Sequence, residues 1–169
     1  MTTTGVRLPP VLLLAVVLHT AVLPELRLFD VSADLLLLLG IAAGLAAGAD
    51  RGAVVGFITG LLADCFLQTP FGLSALSYSL VGYGVGAFQA TILHGSRWIT
   101  VAATLVASVA GVVLFASIGL LLGQDHLVSL RLLTVAGVVA VINAIASPVA
   151  VRLMRWATTS PGLSRVALR

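Results

Sequence analysis

Lysine is absent from this 169-residue chain, cysteine occurs once, and charged residues of every kind make up only 9% of it. A soluble domain carries about 25% charged residues, so this chain has too few to cover a surface that faces water. That excludes a soluble enzyme, a disordered segment and a nucleic-acid-binding module. The single Cys65 excludes an intrachain disulfide and a multi-cysteine metal site. Set in an apolar run, it is expected as a small buried packing residue. The local signatures of several chemistries are missing too. There is no phosphate loop ending in Gly-Lys-Ser/Thr, no Gly-x-Ser-x-Gly elbow and no His-Glu-x-x-His.

What is present is apolar: 60% of the residues are hydrophobic and the mean hydropathy is +1.17. Crossing a hydrocarbon core of roughly 30 Å takes about 20 mostly apolar residues. Six stretches qualify, near residues 8–26, 33–49, 52–69, 71–93, 99–122 and 130–156. The expected fold is therefore all-α, a polytopic membrane protein of six transmembrane helices. Asp50-Arg51 separates the second and third spans and Pro70 the third and fourth; joints this short make neighbours antiparallel. The run after Arg7 has the outline of a signal peptide, but no Ala-x-Ala site follows and Pro24-Glu25 ends it. It is expected to remain as the first span. Residues 1–156 then form one domain, and 157–169 a short basic tail lying on the anionic inner leaflet.

The arginines supply an orientation. Six spans place both termini on one side with the second and fourth connections. That side holds Arg7, Arg51, Arg97, Arg152, Arg155, Arg165 and Arg169, and the other holds Arg27 and Arg131. Basic residues accumulate on the cytoplasmic side, so both termini are expected there. Trp98 and Trp156 fall at the same interface, beside Arg97 and Arg155.

The glycines recur in steps of four: Gly40, Gly44 and Gly48 in the second span, Gly52, Gly56 and Gly60 in the third, Gly82 and Gly86 in the fourth, Gly119 and Gly123 in the fifth. A step of four returns close to the same helix face, and small-residue faces in lipid let backbones approach closely. Packing inside the bundle is the favoured use of any one series. With four series among six helices, one remains available to a partner.

The few polar groups stand out against this background. Asp64 lies one further step of four beyond Gly60, in the outer half of its span. A charge at mid-bilayer costs about 2.5–3.5 kcal/mol on insertion scales, so Asp64 is expected to face a neighbouring helix and to be a functional candidate. Asp34 opens the second span, where an acid caps a helix N-terminus. His19 is expected as a hydrogen-bonded packing residue. Asn143 is expected to bond between helices, with Pro148 kinking the sixth span. Tyr78 and Gln89 are further internal polar candidates. His19, Asp34, Asp64 and His126 share the outer half, but none is spaced from another as metal ligands are, so no metal and no cofactor is expected.

The central third has a recognisable order. Ala33-Asp34-Leu35 precedes a leucine run, and Arg51-Gly52 leads to Gly56-Phe57-Ile58-Thr59-Gly60-Leu61-Leu62-Ala63-Asp64. Then come Pro70-Phe71-Gly72-Leu73-Ser74-Ala75-Leu76-Ser77-Tyr78 and Leu80-Val81-Gly82-Tyr83. This set resembles the MreD family of bacterial rod shape-determining membrane proteins. Ala33 stands where that family often has proline, and Asp50-Arg51 where it often has a basic pair. The resemblance implies a non-enzymatic scaffold of the cell-elongation machinery in the inner membrane. It implies binding to the bitopic protein MreC and, through it, to MreB filaments and the peptidoglycan glycosyltransferase–transpeptidase pair. It also implies a bundle similar to the substrate-binding S components of energy-coupling-factor vitamin transporters. Homo-oligomerisation stays open.

Two readings follow. As a scaffold, the protein would take the MreC span against a glycine face. As an S component, it would need a ligand cavity, which Asp64, Asp34, His19 and Tyr78 could line. It would also need an Ala-x-x-x-Ala coupling surface on the first span, and Ala15 and Ala21 do not have that spacing.

Overall fold

A computed structural model describes residues 7–22, 34–66, 70–90, 97–124 and 131–158. Among these residues there are six α-helices and no strand: α1 (Leu8–Val17), α2 (Leu35–Ala47), α3 (Ala49–Asp64), α4 (Leu73–Ala87), α5 (Arg97–Leu121) and α6 (Arg131–Thr158). A π-helical turn, Leu18–Val22, extends α1. The last two helices are long and apolar enough to cross a membrane.

The other helices are shorter than the apolar runs that encode them. At 1.5 Å per residue, the 13 residues of α2 extend only about 20 Å. The reason is its place in the bundle. Every residue from Leu36 to Leu45 is buried, as a helix apolar on all sides requires. Residues of all six helices, Ala15, Val55, Tyr78, Ala107 and Met154 among them, join the core that α2 forms. A helix that meets no lipid has no need to match lipid thickness.

The break between the second and third spans also differs from expectation. It falls not at Asp50-Arg51 but at Gly48, whose φ of +91° a side-chain-bearing residue rarely adopts. Asp50 and Arg51 sit in the first turn of α3. There an acid complements the helix dipole, so the charged pair continues a helix where it was expected to end one.

Several hydroxyls within the helices bond to carbonyls of their own helix, which satisfies them without water. Thr59 donates to the Gly56 carbonyl, Ser77 to Leu73, Thr104 to Thr100 and Thr158 to Met154. α6 runs unbroken through Pro148. The proline has no N–H for the Ala144 carbonyl four residues back. The Ser147 hydroxyl takes that carbonyl instead, at 2.8 Å.

The bundle has two chemically distinct ends. At one, Arg7 meets Trp156 and Arg51 meets Thr158, with Gly48 against Gln89 nearby. At the other lie Asp34, at the start of α2, and Asp64 with Gly72, where α3 passes into α4. The sides between are apolar and exposed, at Leu13, Leu14, Val106, Leu133, Ile145 and Val149 among others. Cys65, expected in the core, is exposed, because it falls just past the last turn of α3 where the chain leaves the packed bundle.

Candidate functional site

The glycine series of α2, α3 and α4 interlock with one another. A methyl carbon placed on Gly52 would stand 2.7 Å from the Gly44 Cα, and one on Gly56 would stand 2.7 Å from the Tyr78 carbonyl carbon. On Gly60 it would meet the Ala75 nitrogen at 2.5 Å, on Gly82 the Gly52 carbonyl carbon at 2.8 Å, and on Gly86 the Ala49 Cα at 2.5 Å. Gly40 abuts the Gly56 Cα, Gly44 lies against Gly82 and Gly86, and Gly48 faces the Gln89 side chain. Real carbon atoms do not pack at such separations. The three helices are therefore joined backbone to backbone, and these glycine faces are already occupied within the chain.

The fifth-span series has another use. Gly123 has φ +79°. Its N–H bonds to the Leu120 carbonyl, and that of Gln124 to Gly119. This is a Schellman closure of the α5 C-terminus. Gly123 is a cap rather than a packing surface, and Gly119, which is buried, supplies the carbonyl that the Gln124 N–H meets.

Asp64 ends the glycine face of α3 and caps the next helix. Its carboxylate accepts from the N–H groups of Gly72 (2.8 Å), Ser74 (3.0 Å) and Ala75 (3.3 Å). These are the donors that an α-helix leaves unpaired at its N-terminus, where the helix dipole also favours a negative charge. Gly72 supplies the turn with φ +98° but has no side chain to cap α4. Asp64, 4% exposed, performs that function from the preceding helix. Pro70, half-buried, begins the turn.

Asp34 caps α2 through the Leu37 N–H at 2.9 Å. Its second oxygen accepts a hydrogen bond from the Tyr78 hydroxyl. Tyr78 therefore ties the start of α2 to the middle of α4, a link of 44 residues that local spacing does not signal. Asn143, fully buried, donates to the Ser108 hydroxyl at 3.2 Å and joins α5 to α6. Its carbonyl oxygen, the Ser74 hydroxyl and the His19 Nδ1 are buried with no hydrogen-bond partner among the described residues. The expected hydrogen bond of His19 is therefore not made by its Nδ1 to any described residue. Among the described residues no cluster of His, Cys, Asp and Glu could hold a metal; His126 lies outside them.

Several motif residues point outward, among them two large aromatics with no place in the glycine packing. Phe57 and Tyr83 are 48% and 51% exposed, on α3 and α4, which pack against each other through the glycines. Val54, Ile58, Leu76 and Leu80 are exposed beside them. Apart from Pro70, which opens the turn before α4, the site residues expected from the sequence thus divide in two. Asp34, Gly40, Gly44, Gly48, Gly52, Gly56, Gly60, Asp64, Gly72, Tyr78, Gly82 and Gly86 build one interlocked three-helix unit, while Phe57 and Tyr83 stand on its outer surface.

Among protein families, the one described as rod shape-determining protein MreD matches residues 1–155. No curated protein matches the chain, and no solved structure does.

Proposed function

We propose, from the premise that the chain belongs to the MreD family of rod shape-determining membrane proteins, that it is a non-enzymatic scaffold of the cell-elongation complex. It crosses the bacterial inner membrane six times with both termini in the cytoplasm, residues 1–156 forming the membrane domain. It acts by holding MreC and, through MreC, the MreB filament and the peptidoglycan glycosyltransferase–transpeptidase pair.

The observation that carries this reading is how the polar groups and glycines are used. Asp34 and Asp64 spend their oxygens on helix caps and Tyr78. The glycines of α2, α3 and α4 are spent on internal packing. The transporter reading needs these same acids turned toward a ligand. What the bundle presents to a partner is its apolar outer surface. The MreC span therefore docks on the outside of α3 and α4, at Phe57 and Tyr83, instead of in a glycine groove. Placing the arginine-rich end of the bundle in the cytoplasm follows from the bias of basic residues to that side.

The test is co-purification with tagged MreC in mild detergent, comparing wild type with the double variant Phe57→Ala, Tyr83→Ala. An aromatic anchor at an interface centre contributes about 2 kcal/mol, so retention of MreC should fall by more than about tenfold with helicity and monodispersity unchanged. Undiminished retention by a folded double variant would remove this face from the mechanism. A vitamin bound in stoichiometric amount would overturn the scaffold reading itself.

A further inference from the structure

Two arginines from different helices converge on the C-terminus of α6. Arg7, at the start of α1, donates to the Trp156 carbonyl at 3.5 Å, and its guanidinium carbon stands 4.9 Å from the centroid of the Trp156 ring. Arg51, in the first turn of α3, donates to the Thr158 carbonyl at 3.1 Å. The two carbonyls are two residues apart on one helix end, so the fold brings two positively charged side chains to the same helix terminus. A helix C-terminus supplies only about half a negative charge in return. Asp50, exposed beside Arg51, offsets one positive charge, while Arg152 and Arg155, exposed in the last two turns of α6, add two. Arginine thus outnumbers acid among the described residues at this end of the bundle.

Each guanidinium carries five N–H donors in a planar fork that matches a phosphate edge. The carbonyl bonds take one donor from Arg7 and one from Arg51. We propose that Arg7 and Arg51 together bind the phosphodiester of an anionic membrane phospholipid. A lipid source fits the surroundings. Trp156 is 54% exposed at this end, and tryptophan settles at headgroup level. The surface running away from Arg7 along α1 is apolar and exposed at Leu13, Leu14 and Val17, so an acyl chain attached to the bound phosphate has somewhere to lie. The site also has a structural consequence. Val11 and Ala15 of α1 are buried and Leu8, Leu12 and Val16 pack against the core, and the contact at Arg7 adds to what holds α1 to the bundle. A phosphate that screens Arg7 from Arg51 strengthens that attachment.

The experiment uses the full-length protein, delipidated in mild detergent and titrated separately with phosphatidylglycerol, phosphatidylcholine and inorganic phosphate. Binding is read by native mass spectrometry and by thermal unfolding. The expected result is one retained phosphatidylglycerol, preferred over phosphatidylcholine by about tenfold or more, with a matching rise in unfolding temperature. Arg7→Gln with Arg51→Gln should abolish the preference, and Arg152→Gln should leave it intact. Equal loss in Arg152→Gln would overturn the proposal, because it would show diffuse attraction without a built site. Inorganic phosphate competing at the same concentration as the lipid would overturn the lipid assignment. Should the double variant fail to fold, the wild-type titration decides: no preference for phosphatidylglycerol over phosphatidylcholine overturns the site.

Discussion

Asp64 offers the sharpest test of how the bundle is held together. Its carboxylate uses both oxygens: Oδ2 accepts from Gly72 and Ala75, and Oδ1 from Ser74. Replacing Asp64 with leucine removes all three acceptors, and two of the bonds lost, those to Ser74 and Ala75, are buried. A buried donor left unpaired costs about 1–3 kcal/mol. Two such donors, with the favourable charge at the α4 N-terminus lost as well, bring the expected destabilisation to about 4 kcal/mol. Asparagine keeps one carbonyl oxygen and turns an NH2 group toward the remaining N–H. It should cost about 1–3 kcal/mol, less than leucine but well short of neutral. The assay is reversible unfolding in detergent micelles, followed by circular dichroism, alongside the yield of monodisperse protein. The order should be wild type, then Asp64→Asn, then Asp64→Leu. If Asp64→Leu unfolds within about 0.5 kcal/mol of wild type, the usual range for a surface change, the cap is not what holds α4 in place. If Asp64→Asn equals wild type, the second oxygen contributes nothing.

Three further outcomes follow from the same geometry. Gly60→Ala places a methyl 2.5 Å from the Ala75 nitrogen and should destabilise by about 2 kcal/mol or more through overpacking, whereas Gly137→Ala, where the methyl meets nothing within 4 Å, should be neutral or stabilise by up to about 1 kcal/mol; equal effects in unfolding assays would refute the interlocked packing. Tyr78→Phe removes the hydroxyl that donates to Asp34 and should cost about 1.5–3 kcal/mol, the range for a bond to a charged group, and no loss of stability would show that the link between α2 and α4 is dispensable. Asn143→Leu gives up one interhelical bond, worth about 0.6 kcal/mol in a membrane, but also removes a buried carbonyl oxygen without a partner; the variant should unfold within about 1 kcal/mol of wild type, and a larger loss would mean that Asn143 holds a bond beyond the one to Ser108.

Sequence patterning was a good guide where one local rule governs. The step of four from Gly52 to Asp64 marks a single face of α3, and in the structure that face lies against α4. Asp34 was legible as a cap because a cap needs only the next three residues. Spacing was a poor guide where different causes leave the same trace. Gly119 and Gly123 have the step of a packing face, yet Gly123 is there for its positive φ. The charged pair Asp50-Arg51 looked like a boundary, but the backbone conformation of Gly48 sets it.

The sequence by itself determined the solvent and the secondary structure. A chain with 9% charge and 60% hydrophobic residues cannot cover itself for water, and in lipid its backbone groups must be satisfied within helices. It also determined which helix faces are smooth, since glycine spacing is a local property. Only the tertiary structure decided what those faces meet. A groove that fits another backbone does not specify which one. That choice falls to α4 and α2 because Asp64, Tyr78 and the Gly48 turn fix their position. The meeting of Arg7 and Arg51 with the end of α6 was equally out of reach of the sequence. It depends on two helix starts meeting the end of a third, and a contact across more than a hundred residues leaves no local pattern.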